Sequence, residues 1–317
     1  MKIGVIVPCT DSKAGGGLQA AVRDLDEGLT TMAAAERWIA LLDASKPLSS
    51  ARNLYKGPGW AASLRLVATV QEVGAEVEWR IMSAGYGLLQ PDAQVTRYSA
   101  TFAVGQSDSV PGSARLVDAP GVWWAEINRR RGQDKPLIRL ASEVDGLVVA
   151  ASAPYVAAIS AELLVVSKQV PTVVFCAGRP RDAEVAALAP RFDRRLREGV
   201  DPFVRGGDVG FNQRVATRVV EVLGTAAVDR GRVDEVLAEA MDREGPVRHG
   251  RQVANDAMVM AFIEAALMSD PSVSRTALLR RWREGGRACE QRRFGVLYER
   301  VVAERDGQLT LGEATCG

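Results

Sequence analysis

Three short runs of this chain are apolar almost throughout and rich in β-branched residues: Ile3–Val7, Gly146–Ser152 and Pro171–Cys176. A strand with one wet face alternates polar and apolar positions, whereas a strand without polar positions is covered on both sides. That happens when helices flank a mostly parallel sheet. Helical spacing lies between the runs. Leu25, Leu29, Met32, Trp38, Leu41 and Leu42 recur at that spacing within residues 18–44, and Leu64, Leu66, Val67 and Val70 do so within Ala61–Val73, ahead of Gly74. Trp123–Arg131 and a segment around Ala157–Leu164 read as further helices, and Val77–Ile81, alternating with charge, reads as a fourth strand. The order strand, helix, helix, strand, loop, helix, strand, helix, strand predicts an α/β fold with a mostly parallel sheet flanked by helices.

After Pro180 the character changes. Apolar runs stop, arginine becomes frequent, and helical patterns cover Gln213–Leu223, Arg232–Arg243, Arg251–Met268 and Ser274–Glu304. The expected division is an α/β domain over 1–195, a helical basic domain over 205–306 and a frayed tail over 307–317. Arg205-Gly206-Gly207-Asp208, at the start of the second domain, reads as a linker or a phosphate-facing loop.

Composition removes several classes of chemistry. With 317 residues and 47% hydrophobic content there is ample material for a core, and a net charge of +1 means that any nucleic-acid contact must come from local clustering of basic groups. The four cysteines (Cys9, Cys176, Cys289, Cys316) are widely spaced and read as reduced thiols rather than a disulfide framework or metal site. The one histidine, His249, lies in a basic, surface-like stretch, so no histidine-rich metal site is expected. Neither a Walker A sequence nor a dinucleotide-binding glycine fingerprint is present; Gly15-Gly16-Gly17 lacks the spacing, and no cofactor is expected. The longest apolar stretch, Val144 to Val166, is broken by Asp145, Pro154 and Glu162, so a cytoplasmic chain without a membrane span is expected.

Candidate chemistry gathers at strand ends, where open α/β sheets place their ligands. Past Ile3–Val7 come Cys9, Thr10, Asp11, Ser12 and Lys13. Cleavage of an N-glycosidic bond builds positive charge on the sugar, which a carboxylate such as Asp11 can stabilise or use to activate water. Thr10, Ser12 and Lys13 could hold a phosphate or the departing base, while Cys9, lacking a histidine partner, reads as a packing or pocket-lining thiol. Past Val77–Ile81 come Ser83, Gly85, Tyr86, Gly87, Pro91, Asp92 and Tyr98. Tyr86 could stack on a base, Asp92 could act as general base or accept from a base amino group, and Tyr98 could close the pocket; Ser83 and Gly87 line it. Tyr55, in a Gly-Pro-rich loop with Lys56 and Trp60, suits the mouth, and Ser152 and Tyr155 follow another buried strand. Trp123 and Trp124 read as core.

The carboxyl-terminal helices hold nine arginines between Pro271 and Arg305 against four glutamates. Arg275, Arg280, Arg281, Arg283, Arg287, Arg292 and Arg293 lie around Gly285-Gly286 in the pattern of a helix-turn-helix, and are candidate contacts to a nucleic-acid backbone.

Four of these landmarks, in order, carry a family resemblance over roughly residues 1–180. Pro8-Cys9-Thr10-Asp11-Ser12-Lys13, Tyr55-Lys56-Gly57, the block from Ser83 through Tyr86-Gly87, Pro91-Asp92 and Tyr98, and Leu147–Tyr155 with Ala151-Ser152 resemble the peroxide-stress YaaA proteins and the related DUF6884 domains. The resemblance implies a uracil-DNA-glycosylase-like fold and recognition or chemistry at a nucleobase, with Asp11 where that fold carries its water-activating acid. The resulting expectation is a DNA glycosylase that excises a modified base from DNA, with anti-phage defence as its setting. A base-exchanging transglycosylase on RNA or DNA is the alternative, as is a non-catalytic DNA-binding protein of oxidative stress.

Overall fold

The computed structural model describes the chain except residues 18–19, 27, 48, 113–117, 198–201, 244–251, 272 and 314–317, and except the side chains of 243, 253 and 305–313. His249 and Cys316 therefore lie outside the described residues. Two compact units divide the chain, Met1–Pro246 and Val247–Gly317.

The first unit is built on a five-stranded sheet: β1 (Lys2–Pro8), β2 (Glu76–Ser83), β3 (Gly87–Leu89), β4 (Gly146–Ala150) and β5 (Thr172–Phe175), in spatial order β3-β2-β1-β4-β5. All neighbours are parallel except the β2–β3 hairpin, where Ile81 faces Leu89 and Ser83 faces Gly87. The α/β expectation with a mostly parallel sheet holds. Ile3 and Val5–Val7 of β1, and Leu147–Ala150 of β4, are at most 1% exposed, as strands covered on both faces must be.

Helices α1 (Thr31–Asp43), α2 (Pro58–Glu72), α3 (Ala119–Arg130), α4 (Ala153–Ala158), α5 (Ser160–Val166), α6 (Phe211–Leu223) and α7 (Arg230–Arg243) belong to the same unit. The helical pattern anticipated over 18–44 begins only at Thr31, because Thr30 caps it by accepting from Ala33 N at 3.2 Å. Upstream of the cap, Ala20–Ala21 pairs with Tyr98–Ser99 as a short parallel bridge. Helix α2 starts earlier than its apolar pattern, with Pro58 in its first turn after Gly57 at φ 89°.

The boundary near 195–205 is corrected. Helices α6 and α7 pack into the core of the α/β unit through Phe211, Val215, Val219, Val233 and Leu237. Two amides lock α6 to the sheet: Gln213 Nε2 donates to Ala150 O at 3.0 Å, and Asn212 Nδ2 to Ala151 O at 2.8 Å. Arginine-rich composition marked the solvent faces of these helices and concealed their buried stripes.

The second unit has α8 (Asp256–Ser269), α9 (Arg275–Glu284) and α10 (Gln291–Glu313) around Val259, Ile263, Leu278, Trp282, Phe294 and Leu297. The helical pattern over Ser274–Glu304 is two helices that turn at Gly285-Gly286, and the second begins at Gln291, three residues later than its pattern. Between them Arg287–Ala288 pairs with Gln252–Val253, and Glu290 caps α10 through Arg292 N at 3.0 Å and Arg293 N at 3.1 Å. Among the described residues no helix is long and apolar enough to cross a membrane.

Candidate active site

The chain leaves β1 for β2 on one side and leaves β4 for β5 on the other. Loops that depart in opposite directions open a crevice at the carboxyl ends of β1 and β4. Two expected residues meet there: Cys9 Sγ lies 3.6 Å from Tyr155 Oη, joining the end of β1 to the turn after β4. The Tyr155 and Phe102 rings meet in a T-shaped contact, with centroids 5.1 Å apart.

Beside this pair is a buried set of hydroxyls. Tyr98 Oη is 2.6 Å from Ser83 Oγ and 2.9 Å from Tyr55 Oη, and all three residues are at most 1% exposed. Ser83 Oγ also accepts from Gly85 N at 3.1 Å and Tyr86 N at 3.0 Å. Burial, reinforced by the neighbouring Cys9 sulfur, pushes the Tyr55, Tyr98 and Tyr155 hydroxyls well above the usual phenol value, so they act as neutral hydrogen-bonding groups.

Lys13 lies over this set. Its Nζ stands 4.5 Å from the Tyr98 ring centroid and 5.9 Å from that of Tyr55. The loop that carries it is tied down by Lys56 N donating to Ser12 O at 2.9 Å, Ala14 N donating to Leu54 O at 2.7 Å and the Thr10 hydroxyl aimed at the carbonyls of Ser12 and Lys56. Nζ donates to the Asp11 carbonyl at 3.3 Å, and among the described residues no carboxylate lies within ion-pair distance of it. Burial lowers its pKa below the ordinary 10.5. A half-buried ammonium without a carboxylate is costly, and an incoming anion relieves that cost. Asp11 and Ser12 are exposed at the mouth.

Other expected residues serve the scaffold instead. Tyr86 is 5% exposed; its hydroxyl accepts from Thr96 N at 3.0 Å, it meets the Tyr98 ring in a T-shaped contact, and the Arg131 guanidinium stacks 4.5 Å from its centroid. No face remains for a base, so Tyr86→Ala is expected to cost roughly 3 kcal/mol of stability, a cavity cost and not a stacking cost. A thermal melt and a base-binding titration on that variant separate the two. Gly87 approaches the Asn128 amide, not a ligand: a Cβ there would sit 2.3 Å from Asn128 Oδ1. Asp92 is exposed in the turn before Gln94, and among the described residues its carboxylate makes no bond to the hydroxyl set. A general-base role for Asp92 loses its geometric support. Ser152 is exposed ahead of α4 and makes no capping bond.

Several structural partners of the site were not anticipated. Trp38 Nε1 donates to Gly85 O at 2.8 Å, and Trp123 Nε1 to Ala84 O at 2.7 Å, so two buried indoles hold the turn after Ser83. Asn128 Oδ1 accepts from Leu88 N at 2.9 Å. Trp38 appears in sequence only as an apolar helical position; its second function, donation across 47 residues, has no sequence periodicity.

Metal ligation finds no set: among the described residues no group of three or more His, Cys, Asp or Glu converges. Cys9, Cys176 and Cys289 are unpaired thiols, and burial pushes Cys176 up to about 12.

In the second unit the arginines divide. Arg293 pairs with Asp256 and donates to Ala254 O, Arg283 donates to Cys289 O at 3.1 Å, and Arg287 stacks 4.5 Å from the Trp282 ring. These three hold the unit together. Arg275 and Arg280 make exposed pairs with Glu299 and Glu284 at 3.1 and 3.7 Å. Arg281 and Arg292 are exposed and make no ion pair among the described residues. No family model, curated protein or solved structure matches the chain.

Proposed function

We propose that the crevice between β1 and β4 binds a nucleobase of DNA and hydrolyses its N-glycosidic bond, with the exposed arginines of α9 and α10 contacting phosphates. The observation that carries this reading is Lys13, a part-buried ammonium with no carboxylate partner, placed over buried hydroxyls and next to exposed Asp11. N-glycosidic cleavage needs an acceptor for the departing base anion and a carboxylate near the sugar. Lys13 supplies the first and Asp11 the second. The supporting resemblance over residues 1–180 points to the same chemistry. Incubation with normal, uracil-containing and phage-modified DNA, followed by alkali, tests it: strand breaks on one substrate class support the proposal, and intact strands on all three remove it.

The pH dependence has a definite sign. Lys13 binds an anion only while protonated, so affinity for an anion whose own charge stays constant across the window should be full at lower pH and fall as pH rises through the Lys13 value, which lies below 10.5. A titration of binding against pH checks this; affinity that rises across that window would exclude Lys13 as the anion's partner.

Phosphate contact has its own signature. Replacing Arg281 and Arg292 together by Ala should weaken binding to modified and unmodified DNA alike and reduce the salt slope by about one to two units, because each neutralised phosphate releases condensed counterions. A slope equal to wild type would move the DNA contact elsewhere.

A further inference from the structure

The sequence marks Arg205-Gly206-Gly207-Asp208 as a linker or a phosphate-facing loop. It is no linker, since the division of the chain falls at Pro246. Its place is the carboxyl end of the sheet. A Cβ built on Gly59 would lie 3.3 Å from Val209 Cγ1 and 3.5 Å from Thr10 Cγ2, so the residue after Asp208 meets the Thr10 loop over the start of α2. On the far side, Asn212 donates to Ala151 O at 2.8 Å and accepts from Ala177 N at 2.9 Å, just past β4 and β5. The segment therefore borders the crevice and adjoins the loop that carries Asp11 and Lys13.

Two arginines clasp it. Arg214 donates through Nη1 to Val209 O at 2.7 Å and through Nη2 to Gly207 O, and Arg197 Nη1 meets Asp208 Oδ1 at 2.8 Å. Gly206, at φ 111°, rests its backbone against the Arg214 guanidinium, where a Cβ would lie 3.1 Å from Cζ. Burial, and then the Arg197 charge, lower the Arg214 pKa from the ordinary 12.5. Arg205 is exposed and adds a third positive charge with no ion pair among the described residues. One carboxylate, Asp208, faces these three.

That carboxylate is poorly sheltered. The Arg197 side chain is 14% exposed, whereas that of Asp208 is 82% exposed. Of its five donors Arg197 uses one on Asp208, and the Nε atoms of Arg197 and Arg214 are both buried with no acceptor among the described residues. Buried cations need an anion, but a carboxylate standing in water pairs weakly. Asp208 is thus a tethered anion that a better acceptor can displace.

We infer that Arg197, Arg205 and Arg214 form a phosphate subsite at the edge of the crevice, held by the Asp208 carboxylate until a phosphate joined to the substrate's sugar takes its place. The inference rests on the crevice being a nucleobase pocket and extends it to a substrate class: nucleotides or strands, not free nucleosides. Phosphate suits the site because its oxygens accept from several guanidinium N–H groups at once.

Calorimetric titration of the full-length protein with inorganic phosphate at low salt tests it, each variant's folding being confirmed by a thermal melt. Asp208→Asn removes the competing anion and keeps the backbone, so it should bind phosphate about threefold or more tightly than wild type. Arg197→Gln should bind about tenfold or more weakly, and Arg205→Ala about threefold or more weakly. Arg205 lies on the surface, so its variant remains readable if Arg197→Gln fails to fold. A merely structural clasp would give Asp208→Asn no gain. That result, wild-type affinity in both arginine variants, or a loss confined to the Arg281→Ala, Arg292→Ala double variant would each overturn the inference. Competition separates the sources: an oligonucleotide that displaces phosphate identifies a strand phosphodiester, a mononucleotide that alone displaces it identifies a free nucleotide, and displacement by neither overturns the inference. The alkali assay keeps the two claims apart. Strand breaks without these phosphate effects sink the subsite and leave the glycosidase reading, whereas the phosphate effects without strand breaks do the reverse.

Discussion

Gly87→Ala is expected to destabilise the first unit by about 3 kcal/mol or more, two costs acting at one position. Gly87 has φ 76°, a left-handed backbone that an L side chain adopts only with strain. Its added Cβ would also lie 2.3 Å from Asn128 Oδ1. Asn128 cannot withdraw easily, since it is 1% exposed, accepts from Leu88 N at 2.9 Å and donates to Trp124 O at 2.9 Å. The displaced group would be the residue that fastens β3 to α3, and β3 forms the hairpin that follows Ser83. Denaturant unfolding of Gly87→Ala, Asn128→Ala and the double variant measures the clash as a coupling energy. Gly87→Ala with wild-type stability would show that the turn relaxes freely and that the site rests on something else.

The second large effect concerns chemistry. Asp11→Asn should lower single-turnover base release by about 10²-fold or more while DNA affinity stays near wild type. Asp11 is exposed just past the end of β1, its carbonyl anchors Lys13, and its carboxylate is the nearest acid in sequence to the unpaired ammonium. The substitution keeps the backbone carbonyl, so the Lys13 anchor survives. An unchanged rate would remove Asp11 from the reaction and leave the crevice as a binding site. A lower rate with equally weakened DNA binding would instead mean that the loop had collapsed.

How much of this was legible in the sequence follows from the range of the interactions. Ile3–Val7 and Leu147–Ala150 announced buried parallel strands because every position is apolar, a local property. The meeting of Cys9 with Tyr155 was legible only as two strand ends, and their contact needs the strand order that puts β1 beside β4. Tyr86 looked like a stacking platform because glycines flank it. The structure uses those glycines to admit other groups: a Cβ on Gly85 would lie 2.4 Å from the Tyr98 ring, and one on Gly87 meets Asn128. Glycine in sequence signals a close approach without naming what approaches. Lys13 is a candidate on sequence alone. Its lack of a carboxylate partner among the described residues exists only in three dimensions. The placement of α6 is missed for a related reason: the amides of Gln213 and Asn212 bond to carbonyls at the end of β4, contacts that no local periodicity shows.

If the β1–β4 crevice breaks an N-glycosidic bond, the product to measure is the free base itself. Wild type and Asp11→Asn, at equal concentration, are incubated with modified and unmodified DNA, and the released bases are quantified by mass spectrometry. Free base should appear in step with alkali-labile sites from wild type, at least about a hundredfold less from Asp11→Asn, with no incorporation of an added labelled base. Tight DNA binding with no base released from any substrate, or release only when another base is incorporated, would contradict hydrolysis at the crevice.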